Sequence, residues 1–204
     1  VSDTLEDKGI RCVGPRKSLA MIEGDKAFCR ELMKKYSIPG LPHFEISTNT
    51  REASDFINSI GDAVIKPAGL TGGKGVQILG EHLKHREEAS RYVEKILEQK
   101  PGGLGKVVIE ERLDGEEYTL QAFVDGKSLK PMPCVQDHKR AYDGDIGPNT
   151  GGMGSYSDKN HLLPFLTRQQ FEESVEIMKK TVDALKKELH LPYKGILYGQ
   201  FLLG

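Results

Sequence analysis

The chain has 204 residues, of which 37% are hydrophobic and 29% are charged, a composition typical of a globular protein with one or two domains. Its formal net charge of −1 provides no overall field to recruit nucleic acid or an anionic membrane, so any phosphate-binding site must be local. The sequence has no apolar run of about 18 residues that could span a bilayer, and its three cysteines have no metal-binding or CxxC spacing, so we expect a reducing cytoplasm.

Both ends of the sequence suggest a fragment of a longer protein. The chain begins without methionine in a segment with helical character, and it stops at Phe201-Leu-Leu-Gly in a predicted strand. Near the start, apolar residues at helical spacing predict helices over 25–36 and 50–60. Asn49 and Glu52 have the spacing of a capping box at the start of the second helix.

A glycine-rich loop follows these helices. The sequence predicts a strand over 63–67, a loop over 68–75 and a second strand over 76–79, which together form a β-hairpin with the loop at its tip. An amphipathic helix around 89–96 then ends near Pro101 and precedes an apolar strand over 106–111.

The second half of the chain combines strands with one long helix. Asp125-Gly126 predicts a hairpin that joins strands 118–124 and 128–132. A helix over 167–189 begins with the pair Thr167 and Gln170, and a strand over 195–203 ends the chain. Helices mixed with antiparallel strands indicate an α+β fold rather than a doubly wound parallel sheet.

Residues 136–154 are predicted to form a long functional loop. Asp137, His138, Lys139 and Arg140 can hold a charged substrate, and the glycines after them allow exposed N–H groups. A surface loop without function is the alternative. We expect His138 to orient or pack rather than to act as a base. Because no aromatic residues alternate with the basic pair, nucleic acid is not an expected partner.

The loop Lys66-Pro-Ala-Gly-Leu-Thr-Gly-Gly-Lys-Gly-Val has the composition of a polyphosphate-binding loop. Glycine N–H groups are accessible, and Lys66 and Lys74 provide point charges for phosphate oxygens. It is not a Walker A loop, since Gly75 follows Lys74 in place of Ser or Thr. A glycine loop that only makes the turn is the alternative.

The segment Ile109-Glu-Glu-Arg-Leu-Asp-Gly-Glu-Glu-Tyr-Thr-Leu has two acidic pairs on either side of a turn. Its backbone can face an adenine edge while one carboxylate accepts from ribose hydroxyls, although solvated acids are the simpler alternative. With Lys26, Lys66 and the loop 69–75, this segment resembles the ATP-grasp superfamily.

Within that superfamily, the chain resembles the glycinamide ribonucleotide synthetase family, the phosphoribosylamine–glycine ligases, from about Gly14 to Leu203. The motifs that carry the resemblance are Gly14-Pro, Asp25-Lys-Ala-Phe, Ile38-Pro, Gly69-Leu-Thr-Gly-Gly-Lys-Gly-Val, Gln136-Asp-His-Lys-Arg and Gly147-Pro-Asn-Thr-Gly-Gly-Met-Gly. The last two are specific to the family, whereas the glycine loop alone indicates only the superfamily.

The resemblance implies two α+β subdomains whose mainly antiparallel sheets clamp ATP. Residues 1–61 would be an N-terminal linker and helical part, 62–112 the lid, and 113–204 the core, truncated at its C-terminus. The implied reaction is the ATP-dependent ligation of glycine to 5-phosphoribosylamine through glycyl phosphate. It yields glycinamide ribonucleotide, ADP and phosphate, in cytoplasmic purine biosynthesis. This chain would be inactive alone.

The resemblance also implies roles for individual residues. Lys26 and Lys66 would bind the ATP phosphates, with Gly72, Gly73 and Lys74 in the loop over them, Glu110, Glu111 and Leu113 at adenine, and Glu117 at ribose. The residues expected on the substrate face are Asp137, Lys139, Arg140, Asn149 and Thr150. No catalytic residue is assigned.

Magnesium (or manganese) is the metal that the resemblance implies. Its main ligands are expected beyond Gly204, and this chain has none; Gln200 lies near the site, where an amide is a weaker ligand for a hard cation. Two other functions stay open, namely another ATP-grasp carboxylate–amine ligase and a nucleotide-binding module without turnover.

Overall fold

The computed structural model describes residues 1–72, 75–144 and 146–204. Backbone contacts divide the chain into two units, which we name the terminal unit (Val1–Ala20 with Asp114–Gly204) and the central unit (Met21–Leu113). The boundaries that the sequence predicts for linker, lid and core stay a prediction, since those names refer to roles in nucleotide binding.

The helices and strands largely follow the order that the sequence predicts. They are α1 (Ser2–Asp7), α2 (Met21–Gly24), α3 (Lys26–Lys35), β1 (Phe44–Ser47), α4 (Thr50–Ile60), β2 (Ala63–Pro67), β3 (Gln77–Ile78), α5 (Arg86–Gln99), β4 (Val107–Glu111), β5 (Glu116–Asp125), β6 (Leu129–Pro131), β7 (Gln136–Tyr142), β8 (Ile146–Tyr156), α6 (Arg168–Leu189) and β9 (Lys194–Leu203).

The central unit is built on an antiparallel sheet in the order β1-β4-β2-β3. The pairing of β2 with β3 confirms the hairpin predicted around the glycine loop. In the pairing of β2 with β4, Lys66 lies opposite Val108, and Val64 lies opposite Glu110. Because residues opposite each other share a face, Lys66 and Glu110 lie on the same side of this sheet.

The two faces of this sheet pack on different helices. Val107 and Ile109 of β4 join the core formed with α4 and α5, whereas Val108 packs with Ala27 of α3 on the other face. Ile109 is fully buried, which contributes roughly 1.5–3 kcal/mol relative to an exposed side chain. Alternation along β4 therefore directs the next residue, Glu110, toward α3.

The start of α4 differs in part from the predicted capping box. Asn49 Oδ1 accepts from the backbone N–H groups of Arg51 (2.8 Å) and Glu52 (3.4 Å), which confirms Asn49 as the N-cap. The second bond of a capping box, from the Asn49 N–H to the Glu52 side chain, is absent, so this part of the prediction is wrong. The Asn49 N–H donates to Ser47 Oγ at 3.0 Å instead. Ser47 Oγ also donates to Glu52 Oε2 at 3.4 Å, so Ser47 takes the place of the glutamate at the helix start.

The terminal unit contains an antiparallel sheet in the order β6-β5-β9, with one face against α6. Buried Tyr118 of β5 stacks on Phe201 at 5.4 Å between ring centroids and bonds Ser174 of α6 at 2.6 Å. The predicted capping box of Thr167 and Gln170 is confirmed at the start of α6.

The segments 136–142 and 146–154 form strands rather than the predicted loop. Strands β7 and β8 pair as a two-stranded antiparallel ribbon, with irregular register between His138 and Arg140 and between Arg140 and Tyr142. The sequence did not indicate this ribbon because glycine disfavours strands and because β8 is exposed along most of its length, so no apolar alternation marks it. Across the described ranges, none of the helices has the length and apolar character needed to cross a membrane.

Candidate functional site

Glu110 lies between two cations in the central unit. Its Oε2 is 2.5 Å from Lys66 Nζ of β2, and its Oε1 is 2.6 Å from Arg30 Nε of α3. The Glu110 side chain is only 5% exposed. Because both oxygens have a cationic partner, this buried carboxylate is compensated on each side.

The surroundings of Glu110 and Arg30 favour the charged forms of both groups. Burial alone raises the pKa of Glu110, but the Lys66 charge and the Arg30 hydrogen bond outweigh it and hold that pKa below its ordinary value. Burial likewise lowers the pKa of Arg30, while the bond to Glu110 raises it above the ordinary arginine value overall. Two cations share one carboxylate, so the cluster retains one net positive charge.

Lys26 adds a second ammonium group close to Lys66. It is the first residue of α3, whose N-cap Asp25 accepts from two backbone N–H groups of the first turn. Lys26 Nζ donates to the carbonyl oxygens of Pro67 (3.1 Å) and Gly69 (2.8 Å). Burial and the Lys66 charge lower the pKa of Lys26. Both lysines therefore lie where the glycine loop begins, in a region of positive potential.

The glycine loop requires glycine at particular positions. A Cβ atom on Gly69 would lie 2.5 Å from the carbonyl oxygen of Gly102, so the backbones of these two residues could not approach as they do. Gly72 has a φ of +60°, in the left-handed region that favours glycine. Gly73 and Lys74, which the sequence assigns to the same loop, lie outside the described residues.

The residues predicted at adenine lie at the end of β4. The Glu110 carboxylate is bound by Arg30 and Lys66, and Glu111 Oε1 accepts from the His43 backbone N–H at 2.7 Å. Leu113 is 45% exposed. With both carboxylates engaged inside the unit, an adenine ring would have to be contacted by main-chain groups or by Leu113. The adenine role of all three residues stays a prediction.

In the terminal unit, the predicted ribose residue meets two of the predicted substrate residues. Lys139 Nζ bonds Glu117 Oε1 and lies 3.6 Å from Asp137 Oδ2. Burial alone lowers the pKa of Lys139, but the hydrogen bond and charge of Glu117 raise it above the ordinary lysine value. Asp137 Oδ1 is buried and has no hydrogen-bond partner among the described residues, which leaves an acceptor for a ligand.

Two other predicted substrate residues make bonds within the β7–β8 ribbon. Arg140 Nη1 donates to Gly147 O at 2.8 Å, and Thr150 Oγ1 donates to Lys139 O at 3.0 Å. Asn149 lies opposite Arg140 in the register, but its side chain lies outside what the structure describes. The hydrogen bonds of Arg140 and Thr150 thus stabilise the ribbon to which Asp137 and Lys139 belong.

The described residues do not fit a metal ion by themselves. No group of three or more His, Cys, Asp or Glu side chains in the described part of the chain could hold one. Gln200 of β9 lies opposite Thr119 and offers only a neutral amide. We therefore assign no chemical step to a metal bound by this chain.

Arg30 is the one member of the buried cluster that sequence reasoning did not select. A signal was available, because Arg30 lies four residues after Lys26 and so shares its face of α3. Side-chain alternation along β4 directs Glu110 toward the same helix. This alternation identifies Glu110 as the partner of Arg30.

Comparisons with known proteins relate this chain to one family. The family model for "Phosphoribosylglycinamide synthetase, ATP-grasp (A) domain" matches residues 24–204. The phosphoribosylamine–glycine ligase of Methanopyrus kandleri is 56% identical over 204 residues, which are 100% of this chain and 45% of that protein. The chain thus spans about half the length of the curated relatives it matches.

Solved structures show the same fold. A crystal structure of phosphoribosylamine–glycine ligase from Thermotoga maritima has a TM-score of 0.79 and 37% identity, and the match covers 94% of this chain and 47% of that one. D-alanyl-alanine synthetase A from Vibrio cholerae has a TM-score of 0.71 at 14% identity, covering 99% of this chain and 58% of that one, which shows likeness of fold alone. The predicted α+β, ATP-grasp fold is confirmed.

Proposed function

Since this chain belongs to the phosphoribosylglycinamide synthetase ATP-grasp family, we propose that it is the ATP-grasp part of an enzyme that ligates glycine to 5-phosphoribosylamine. The products would be glycinamide ribonucleotide, ADP and phosphate, in purine biosynthesis in the cytoplasm. The observation that carries this proposal is the 56% identity, over the whole chain, to a protein named phosphoribosylamine–glycine ligase.

The chemistry explains why ATP is needed. A carboxylate is a poor electrophile, so one glycine carboxylate oxygen attacks the γ-phosphorus of ATP and ADP leaves. The amine of phosphoribosylamine then attacks the carbonyl carbon of glycyl phosphate, loses a proton and expels phosphate. Protein groups contribute mainly orientation and neutralisation of charge on the phosphoryl oxygens. Mg²⁺ (or Mn²⁺), when bound, would neutralise part of the phosphate charge, and we assign it no residue of this chain.

In the central unit, we assign the ATP phosphates to Lys26 and Lys66. The support is that both ammonium groups lie at the start of the glycine loop, which would bring Gly72, Gly73 and Lys74 over the phosphates. An ammonium group has three protons, and the Glu110 contact uses one from Lys66. The Glu110 carboxylate would therefore act on ATP through Lys66, while the main chain of Glu110 and Glu111 and the Leu113 side chain would contact adenine at the end of β4.

In the terminal unit, we assign the substrates to the ribbon residues Asp137, Lys139, Arg140, Asn149 and Thr150. The support is the buried Asp137 Oδ1, which is available to accept an N–H from an amine substrate. Glu117 would accept from ribose hydroxyls, in exchange for part of its contact with Lys139.

The experiment that tests this function is phosphate release from ATP by the full-length gene product. We expect release only when glycine and phosphoribosylamine are both present, and background release when either is omitted. Turnover with other carboxylate and amine pairs, but none with these two, would reject the assignment. ATP binding without turnover on any pair would instead identify a nucleotide-binding module.

A further inference from the structure

The two carboxylate oxygens of Glu110 bind different cations. Arg30 Nε holds Oε1 at 2.6 Å, and Lys66 Nζ meets only Oε2, at 2.5 Å. The carboxylate is 5% exposed, so solvent does not compete with Arg30 for the first oxygen. The position of Arg30 thus determines which way the Glu110 carboxylate is turned toward Lys66.

Arg30 also determines the charge of the cluster. A buried pair of Lys66 and Glu110 alone would be neutral, and Glu110 could turn to engage the ammonium group with both oxygens. With Arg30 on Oε1, the same cluster carries one net positive charge. Because the dielectric constant is lower in a partly buried site than in water, the extra positive charge attracts a polyphosphate strongly.

Two side chains of helix α3, one helical turn apart, contact strands β2 and β4 and the start of the glycine loop. Lys26 Nζ holds the carbonyl oxygens of Pro67 and Gly69, directly after Lys66, and Arg30 holds Glu110, on the neighbouring strand. Positions i and i+4 of a helix lie on one face, so the same face of α3 supports both. Arg30 itself is 23% exposed; besides Glu110, its side chain contacts the Met33 sulfur at 3.5 Å and interacts with Cys29 of the same helix.

We infer that Arg30 is a positioning residue for nucleotide binding, which holds Glu110 so that Lys66 presents its ammonium group to a polyphosphate and the cluster stays net positive. This inference rests on the proposed function, in which Lys66 contacts the ATP phosphates. Arg30 itself would not touch the nucleotide.

A double-mutant cycle on the full-length protein tests the inference, with ATP affinity measured by calorimetric titration. Arg30→Met should raise the Kd for ATP about tenfold when Lys66 is present, the loss expected for one charge-assisted contact. In the Lys66→Met background the same change should raise the Kd by clearly less, about threefold or under, because only the charge of Arg30 is then lost and the group that it positions is already gone. An equal loss in both backgrounds would overturn the inference, since a merely structural effect of Arg30 does not depend on Lys66.

Lys34→Met is the matched control, because it removes an exposed cation from the same helix, where Lys34 Nζ lies 5.8 Å from the centroid of the Phe44 ring. It should leave ATP affinity unchanged. Thermal unfolding of each variant checks folding, and Arg30→Gln, which removes the guanidinium charge from Glu110, replaces Arg30→Met if the latter does not fold. If the wild type binds no ATP, the proposed function fails; if Lys66→Met weakens binding but neither Arg30 variant does, only the inference fails.

Discussion

Lys66 Nζ and Glu110 Oε2 lie 2.5 Å apart on the α3 face of the central unit's sheet. The strand register explains the contact, because Lys66 pairs with Val108 and Glu110 is the next residue of β4 on that face. The contact fixes a long, flexible side chain that would otherwise have many rotamers. A phosphate that binds Lys66 would thus meet an ammonium group already held in place.

We expect Lys66→Ala to weaken ATP binding by about 10- to 100-fold, the range for loss of one contact to a charged group. The change also leaves Glu110 with Arg30 alone, which removes the net positive charge of the cluster. Titration of the full-length protein with ATP measures the effect. Lys95→Ala, which removes an exposed lysine from α5, serves as the control and should bind like the wild type. Wild-type affinity in Lys66→Ala would exclude Lys66 from the phosphate site.

Glu110→Gln should destabilise the central unit by about 3 kcal/mol, since it leaves Arg30 and Lys66 without a compensating charge. Urea unfolding, followed through the transition of this unit, measures the change. The matched control is Glu94→Gln, at an exposed position of α5, with an expected effect within about 0.5 kcal/mol. A loss at Glu110 no larger than that of the control would show that the buried cluster contributes little to stability.

The contribution of Glu110 should also depend on pH in one direction. Its pKa in the folded protein lies below the unfolded value, which is about 4.3 for glutamate. The ionised carboxylate therefore stabilises the fold fully above that unfolded value, and this stabilisation is lost as the pH falls through the folded pKa. The difference in unfolding free energy between wild type and Glu110→Gln should shrink in acid. A difference that stays constant from pH 7 to pH 3 would contradict the assigned charge state.

Local sequence rules predict the central unit well. The β2–β3 hairpin follows from two apolar strands around a glycine loop, and Asn49 is recognised as an N-cap from its position before an amphipathic segment. These features depend on neighbouring residues. The pairing of Arg30 with Glu110 depends instead on how α3 packs across the sheet, over a separation of 80 residues. It becomes predictable only after the strand register and helix face are known.

The β7–β8 ribbon shows a different limit. Its strands include Gly151, Gly152 and Gly154, whose propensity disfavours strands, and the described side chains of the ribbon bury no continuous apolar face. The motifs in it indicate a functional segment, but its pattern predicts a loop rather than two strands. The meeting of Glu117 with Lys139 depends on this ribbon lying beside β5, which periodicity does not reveal.

Gly69→Ala should destabilise the protein by about 1–3 kcal/mol, the usual cost of forcing an extra methyl group into a packed site. The reason is the 2.5 Å distance that a Cβ would have to the Gly102 carbonyl oxygen. ATP affinity should fall as well, because Gly69 O anchors Lys26 Nζ. Thermal unfolding and ATP titration measure the two effects.

Gly24→Ala is the control for this change, because a Cβ at Gly24 has no atom within 4 Å and the residue has no positive φ. It should keep wild-type stability and affinity. If Gly69→Ala behaves like Gly24→Ala, the close approach of Gly69 and Gly102 does not shape the loop.

An oxygen label should follow the proposed reaction through its intermediate. With glycine labelled by ¹⁸O in both carboxylate oxygens, one labelled oxygen becomes the bridge in glycyl phosphate and leaves with phosphate. Mass spectrometry of the phosphate released by the full-length enzyme should therefore show one ¹⁸O atom per turnover. Unlabelled phosphate, formed at the same rate, would mean that ATP is hydrolysed by water and that glycine is not phosphorylated.

The most direct measurement is a crystal structure of the full-length protein with a non-hydrolysable ATP analogue. We expect phosphate oxygens within about 3 Å of both Lys26 Nζ and Lys66 Nζ, the distance of a charge-assisted hydrogen bond, with Arg30 still bound to Glu110. A polyphosphate that binds elsewhere, with no phosphate oxygen near Lys26 Nζ or Lys66 Nζ, would contradict the central claim.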